Sequence, residues 1–195
     1  MLRYFLSLML ISADSSAKTA IVIKGASDKD NIKSAKIVFV GDVSSDKVAE
    51  MMADINDIKI NYPTVKEIAL WINSFGGDRE TGYMGAESVR GSWKPIKTIN
   101  AGMTGSAATL IYCAAKRRET PGSATFLIHP AATGNIQSDY LKKNQVMLMS
   151  RDLDNVSQIF RDSYSLCIKD HDQQIALALL SEDNRLYLRV PDSIK

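Results

Sequence analysis

The stretch "EIALWINSFGG", residues 67–77, decides the fold, because it joins a strand that is apolar on both faces to two consecutive glycines. A strand with one face in water would alternate apolar and polar residues, and residues 67–73 do not. Such a run is typical of a parallel strand buried between layers of helices. Gly76 and Gly77 then lie at the carboxyl end of the strand, where open α/β sheets bind their ligands.

Strand-like and helix-like segments alternate on both sides of this stretch. The short segment 102–105, which contains two glycines, is predicted to be a turn. The alternation predicts an α/β domain with a parallel sheet and helical crossovers. Strands are predicted at residues 19–24, 36–40, 67–73, 96–100 and 125–129, and helices at 48–58, 82–93, 106–115, 138–168 and 173–180.

Composition sets broad limits on the class of protein. The chain has 195 residues, 45% of them hydrophobic, which suits one domain with a sizeable core. Its net charge is only +2 and its basic residues are scattered, so we expect no nucleic-acid partner. Cys113 and Cys167 have apolar neighbours and are interpreted as core thiols, with a disulfide as the alternative in an exported chain. Without a Cys/His cluster, no metal or cofactor is expected.

The N-terminus has the layout of a secretory signal peptide. Arg3 precedes the apolar run 4–11, and small residues follow up to Ala17. The run is too short for a stable membrane span. We therefore expect residues 1–17 to be a signal peptide and residues 18–195 to be a single domain, exported to the periplasm or secreted. The alternative is a cytoplasmic protein whose apolar N-terminus docks on a partner.

Two polar side chains lie where the predicted sheet would bind a ligand. Ser106, in "GMTGSAA" at residues 102–108, begins a helix, and helix N-termini favour negative charge. His129 ends the strand "TFLIH" and suits a general base, whereas His171 lies among acids and is interpreted as a solvated turn residue. The alternative is that Ser106 only permits close packing. Together with the two glycines, the pair favours acyl transfer.

These residues resemble the Clp protease proteolytic subunit family of the ClpP/crotonase superfamily. The family patterns INSPGG, GMAASMG and MIHQP correspond here to INSFGG, GMTGSAA and FLIHP. The distance from the glycine loop to Ser106 matches the family without an insertion or deletion. The resemblance covers about residues 35–185. It implies a ClpP/crotonase-like parallel sheet with flanking helices and a long protruding handle helix within residues 138–168.

The resemblance also implies roles for individual residues in a serine-type endopeptidase. Ser106 would be the nucleophile and His129 its general base. The backbone N–H groups of Gly77 and Ala107 would form the oxyanion hole, with Gly76 in the same substrate-binding loop. The implied substrate is a peptide or an unfolded protein, and the implied assembly is a homo-oligomeric ring.

Several positions depart from the family pattern. Phe75 stands in place of the loop proline. The aspartate of the triad falls within "SEDNRL", which places Asn184 at that position, with Asp183 as the alternative. The closing helix and the N-terminal axial loop are not recognisable. Because those parts dock the ATP-driven unfoldase, the resemblance does not carry over that partner.

Three other functions stay open. Asn184 and Phe75 favour a catalytically weak or inactive assembly subunit. The glycine loop alone would also serve a crotonase-like acyl-CoA enzyme, which needs no Ser–His pair. A membrane signal-peptide peptidase of the Ser/Lys type would need a lysine near Ser106, and Lys116 is the candidate.

Overall fold

A computed structural model describes residues 20–23, 32–132, 140–168, 172–180 and 185–189. Within them, helices flank a seven-stranded sheet. The predicted signal segment, His171, Asp183 and Asn184 lie outside these residues. The strands are β1 (Ala20–Ile23), β2 (Ser34–Val40), β3 (Glu67–Ser74), β4 (Ile96–Gly105), β5 (Arg117–Glu119), β6 (Thr125–Ile128) and β7 (Leu186–Arg189), and the helices are α1 (Ser45–Asn61), α2 (Arg79–Arg90), α3 (Ala107–Ala114), α4 (Lys143–Cys167) and α5 (Asp172–Leu180).

The sheet runs in the order β1-β2-β3-β4-β6-β7, and β5 also pairs with β4. The pairs β2–β3, β3–β4, β4–β5 and β4–β6 are parallel, as the α/β alternation predicts. The two edge strands, β1 and β7, pair antiparallel to their neighbours. Two strands were not predicted from the sequence: β5, whose three residues are all charged, and β7.

β3 is the centre of the hydrophobic core. Its Ile68, Leu70 and Ile72 share one face and are fully buried, whereas Ala69 and Trp71 on the other face are only partly buried. The expectation of a strand buried on both faces is therefore correct for one face only. Helix α1 buries one face against the sheet, and Ser44 caps its start by accepting a hydrogen bond from the Lys47 N–H at 3.5 Å. The apolar face of α1 consists of Val48, Met51, Ile55 and Ile58.

The predicted turn at residues 102–105 is wrong, because these residues continue β4. The first half of β4 pairs with β5, and its last residues, Met103–Gly105, pair with Thr125–Leu127 of β6. Two short partners placed end to end thus keep one ten-residue strand extended. As a result, Ser106 lies directly after the last residue of β4, at the end of the sheet.

Helix α4 is the long helix that the sequence predicts. Its buried residues are Val156, Phe160 and Tyr164, in the C-terminal half, and none of residues 143–155 is buried. The first half therefore projects from the body with apolar side chains exposed, including Met147 and Leu148. None of the described helices is long and apolar enough to cross a membrane.

The interpretation of the two cysteines as core thiols is wrong. Cys113 at the end of α3 and Cys167 at the end of α4 form a disulfide, with 5.4 Å between their Cα atoms. The two residues are 54 positions apart, and only the packing of α3 against α4 brings them together. Apolar neighbours in the sequence could not reveal this pairing.

We expect the Cys113→Ala/Cys167→Ala double variant to be less stable than the wild type by roughly 2–4 kcal/mol, since the disulfide closes a long loop in the unfolded chain. Urea unfolding of both proteins measures the difference in the free energy of unfolding. Treating the wild type with dithiothreitol should reproduce the loss, and the double variant should not respond to it. Equal unfolding midpoints for the oxidised wild type and the double variant would contradict the expectation.

Candidate active site

Three strands bring the predicted site residues to one edge of the sheet. Ser74 at the end of β3 is level with Thr104 of β4, and Gly105 is level with Leu127 of β6. Ser106 follows Gly105 directly, and His129 lies two residues after Leu127. Neighbouring strands lie about 4.8 Å apart, so the register brings the serine and the histidine to the same edge.

Ser106 has a strained backbone. Its φ of 46° and ψ of −128° make it the single non-glycine residue with positive φ in the described part of the chain. Such a conformation costs about 1–3 kcal/mol and persists only where the surroundings hold it. Its N–H donates to the Leu127 carbonyl at 3.0 Å, and its carbonyl accepts from the Thr109 N–H at 2.9 Å. Strain of this kind clusters at active sites.

His129 is half-buried, and a backbone carbonyl orients its ring. Its Nδ1 lies 2.7 Å from the Pro130 carbonyl oxygen. Since a carbonyl can only accept, Nδ1 is the donor in this contact, and in the neutral ring Nε2 is then the nitrogen with the lone pair. In the described residues no hydrogen bond joins His129 to Ser106, and catalytic hydrogen bonds often tighten only when substrate binds. The tautomer is the one that a general base needs.

The glycine loop passes directly over the serine. Gly76 has a φ of 111°, and a Cβ added there would stand 2.6 Å from the Ser106 Cβ and 3.1 Å from the Ala107 nitrogen. Any side chain would therefore collide with the candidate nucleophile. The loop thus packs closely against Ser106 and the start of α3.

Backbone hydrogen bonds fasten this loop to the segment before α1. The Val43 N–H donates to the Gly76 carbonyl at 2.8 Å, and the Asp78 N–H donates to the Val43 carbonyl at 2.9 Å. Across the described residues, no hydrogen bond takes up the N–H of Gly77 or of Ala107. Both N–H groups are thus free to bind an anionic oxygen, and Ala107 adds the N-terminus of α3.

Sequence analysis missed two side chains that shape the loop. The Asn73 Oδ1 accepts from the Met103 N–H at 2.9 Å, and it bridges the irregular register between the ends of β3 and β4. The Ser74 Oγ accepts from the Gly76 N–H at 3.1 Å. Both belong to the quoted "INSFGG", but a polar residue at a strand end has too many roles for its type to identify this one.

Asp78 is a third residue whose role sequence analysis missed. It caps α2, which begins at Arg79, because its carboxylate accepts from the Thr81 N–H at 2.8 Å. The hydrogen bonds from the Thr81 side chain and backbone lower the pKa of Asp78 and so favour its ionised form. An Asp before a helical run is an N-cap signal that could have predicted this start. The cap fixes the chain directly after the glycine loop.

Phe75 is the exposed aromatic residue of the glycine loop. Its side chain is 64% exposed, while its carbonyl oxygen lies 2.8 Å from where a Cβ on Gly105 would stand. The ring thus lies at the surface, and the backbone of the loop packs closely on the end of β4. A phenylalanine in place of proline is compatible with a closely packed loop.

Other candidate groups do not meet at this edge. Lys116 is exposed and follows the far end of α3, about 12 Å along the helix axis from its start. That distance separates it from Ser106 and removes the basis for a Ser/Lys pair. In the described ranges, no group of three or more His, Cys, Asp or Glu residues could hold a metal ion.

Comparisons with known proteins identify the family of this chain. The model of the family described as Clp protease matches residues 24–182. The ATP-dependent Clp protease proteolytic subunit 2 of Borreliella burgdorferi is 28% identical over 142 residues, which cover 70% of this chain and 71% of that protein. The subunit 2 of Treponema denticola is 26% identical over 108 residues, or 53% of this chain and about half (52%) of that protein.

A solved structure has a similar fold. A ClpP1 mutant from Listeria monocytogenes aligns with a TM-score of 0.65 over 80% of this chain and 84% of that chain. At 16% sequence identity, this similarity concerns the fold alone. The central sheet with its flanking helices is thus a known architecture.

Proposed function

This chain belongs to the Clp protease family, and on that premise we propose that it is a serine-type endopeptidase with Ser106 as its nucleophile. The observation that carries the proposal is the strained backbone of Ser106, against which Gly76 packs so closely that no side chain fits. A strained serine beside free backbone N–H groups at a helix start suits acyl transfer.

The proposed reaction uses the groups at the sheet edge in sequence. The Ser106 Oγ attacks the peptide carbonyl carbon while His129 Nε2 takes the hydroxyl proton. The N–H groups of Gly77 and Ala107 bind the oxyanion that develops on the carbonyl oxygen. His129 then passes its proton to the leaving amine, and water hydrolyses the acyl-enzyme by the same steps.

The third member of the triad is proposed to be Asn184, with Asp183 as the alternative. Either side chain would add a second acceptor to the histidine ring, whose Nδ1 proton is already donated to the Pro130 carbonyl. We therefore expect Asn184→Ala to keep the labelling of Ser106 by a fluorophosphonate probe within about tenfold of the wild type, because the tautomer of His129 does not depend on Asn184 alone.

Labelling rates of the wild type, Asn184→Ala and Asp183→Ala measure this directly, with each protein checked for assembly. Loss of labelling in Asn184→Ala alone would contradict the expectation that the Pro130 carbonyl suffices to orient His129. Loss in Asp183→Ala alone would identify Asp183 as the third member of the triad. If the folded, assembled wild type itself is not labelled, the chain is instead an inactive assembly subunit.

The proposed substrate is a peptide or an unfolded protein, cut within a homo-oligomeric ring. Support comes from the first half of α4, where Val146, Met147 and Leu148 are each about half exposed or more. Apolar side chains clustered on a projecting helix are typical of a subunit contact. An ATP-driven unfoldase does not form part of the proposal.

We also propose that the protein is exported. The Cys113–Cys167 disulfide suits the periplasm or the outside of the cell, where such bonds persist, better than a reducing cytoplasm. The signal-like residues 1–17 point to the same compartment. N-terminal sequencing of the protein recovered from its native compartment tests cleavage after Ala17.

A further inference from the structure

The strained conformation of Ser106 raises the question of what holds it. On the strand side, the Leu127 carbonyl accepts the Ser106 N–H. On the helix side, the Ser106 carbonyl accepts two hydrogen bonds from one residue, Thr109, through its N–H and its Oγ1 hydroxyl. The threonine side chain is thus a direct support of the nucleophile's backbone.

A tyrosine on α4 completes this support. The Tyr164 hydroxyl lies 3.1 Å from the Thr109 Oγ1, and both side chains are fully buried. A threonine hydroxyl has one proton, and here it is donated to the Ser106 carbonyl, so the tyrosine donates to the threonine. Burial raises the pKa of Tyr164, which keeps it protonated as a donor. The chain of hydrogen bonds runs from α4 to Ser106.

The disulfide joins α3 and α4 one helical turn beyond Thr109 and Tyr164. Cys113 follows Thr109 by four residues on α3, and Cys167 follows Tyr164 by three residues on α4. Residues at these spacings lie on the same face of a helix. The covalent bond and the hydrogen bond therefore fix α3 to α4 at two adjacent points along one contact.

We propose that Thr109 and Tyr164 are positioning residues that hold Ser106 in its reactive conformation. The Cys113–Cys167 disulfide anchors this pair, so the activity of the enzyme depends on the oxidised state of the two cysteines. The inference rests on the proposed function, because it concerns the reactivity of Ser106. It adds to that function a buried support and a covalent anchor that lie outside the Ser–His pair.

The first test distinguishes the effect of losing a hydroxyl group from the effect of changing the shape of the side chain. Thr109→Val keeps the branched shape and removes the hydroxyl, and we expect kcat and the rate of fluorophosphonate labelling to fall about 10- to 100-fold with KM nearly unchanged. Thr109→Ser keeps the hydroxyl and should stay within about threefold of the wild type, since the hydrogen bond is retained. Tyr164→Phe removes the outer hydroxyl and should lower kcat by less than Thr109→Val.

A matched control addresses stability. Val156→Ala truncates a buried residue of α4 two turns before Tyr164 and weakens the packing of that helix without touching the hydrogen bonds. We expect it to lower the melting temperature and to leave kcat unchanged. If Val156→Ala lowers kcat as much as Thr109→Val does at equal loss of stability, the effect is general loosening and the proposal is wrong.

The second test concerns the disulfide. Dithiothreitol supplies two electrons and two protons, so the disulfide becomes two thiols and the reagent becomes its cyclic disulfide. Reduction of the folded wild type should lower the labelling rate about as much as the Cys113→Ala/Cys167→Ala double variant does. The double variant itself should not respond to dithiothreitol.

The outcomes distinguish the inference from the function on which it rests. If the wild type is labelled at Ser106 but Tyr164→Phe, Thr109→Val and the reduced protein all react at the wild-type rate, the positioning role is overturned and the peptidase stands. If the oxidised, assembled wild type is not labelled, the peptidase proposal fails, and the positioning role fails with it. If Thr109→Val does not fold, the labelling rates of Tyr164→Phe and of the reduced wild type test the positioning role instead.

Discussion

Ser106→Ala and His129→Ala should each abolish peptide hydrolysis, with a fall in kcat of about 10⁴- to 10⁶-fold. In the proposed reaction the two side chains act as one unit, because the hydroxyl becomes a nucleophile only when the imidazole takes its proton. The double variant should therefore be no less active than either single variant. Steady-state kinetics with a fluorogenic peptide measure all three, and a fluorophosphonate probe measures the labelling of the serine independently.

The matched control is Ser150→Ala, an exposed serine on the projecting half of α4. It should retain the hydrolysis rate and the labelling of the wild type. Additive losses in the double variant would show that the serine and the histidine work independently, contrary to the proposed reaction. Labelling that persists in Ser106→Ala would place the nucleophile elsewhere.

Gly76→Ala should lower kcat by about 100-fold or more, because the loop that frames the oxyanion hole can no longer pack on the serine. The new Cβ would stand 2.6 Å from the Ser106 Cβ and 2.9 Å from the Gly105 carbonyl oxygen. The φ of 111° adds strain for any L-residue with a side chain, so the free energy of unfolding should also fall, by about 1–3 kcal/mol.

Gly91→Ala provides the comparison, since that glycine ends α2 with an ordinary φ of −84°. We expect it to preserve kcat, which is measured together with urea unfolding for both variants. A Gly76→Ala protein with the wild-type kcat would mean that the loop does not frame the reacting carbonyl. The close approach of Gly76 would then be a matter of packing alone.

The fold was predictable from the sequence where the pattern is long. The apolar strand β3, the amphipathic helix α1 and the long helix α4 each extend over enough residues to show their period. The continuation of β4 through residues 102–105 was not predictable. Glycines favour a turn locally, whereas pairing with β6, a long-range contact, keeps these residues extended.

The sequence predicts which residues form the candidate site, but it does not predict their conformations or contacts. Ser106, His129 and the glycine pair each stand at the end of a strand, and parallel strands bring such ends to one edge. The sequence does not say how the backbone of Ser106 is strained or which carbonyl orients His129. It also leaves open how Asn73 bridges two strand ends, because all three features depend on contacts between distant segments.

The sequence by itself determined the α/β class, the family and the order of the candidate nucleophile, base and glycine loop, because these depend on local periods and spacings. Only the tertiary structure decided that Cys113 and Cys167 form a disulfide and that Tyr164 is hydrogen-bonded to Thr109, which in turn bonds to the Ser106 carbonyl. The disulfide and the Tyr164–Thr109 hydrogen bond each join residues more than 50 positions apart. They arise when α3 packs on α4, and no local pattern encodes that contact.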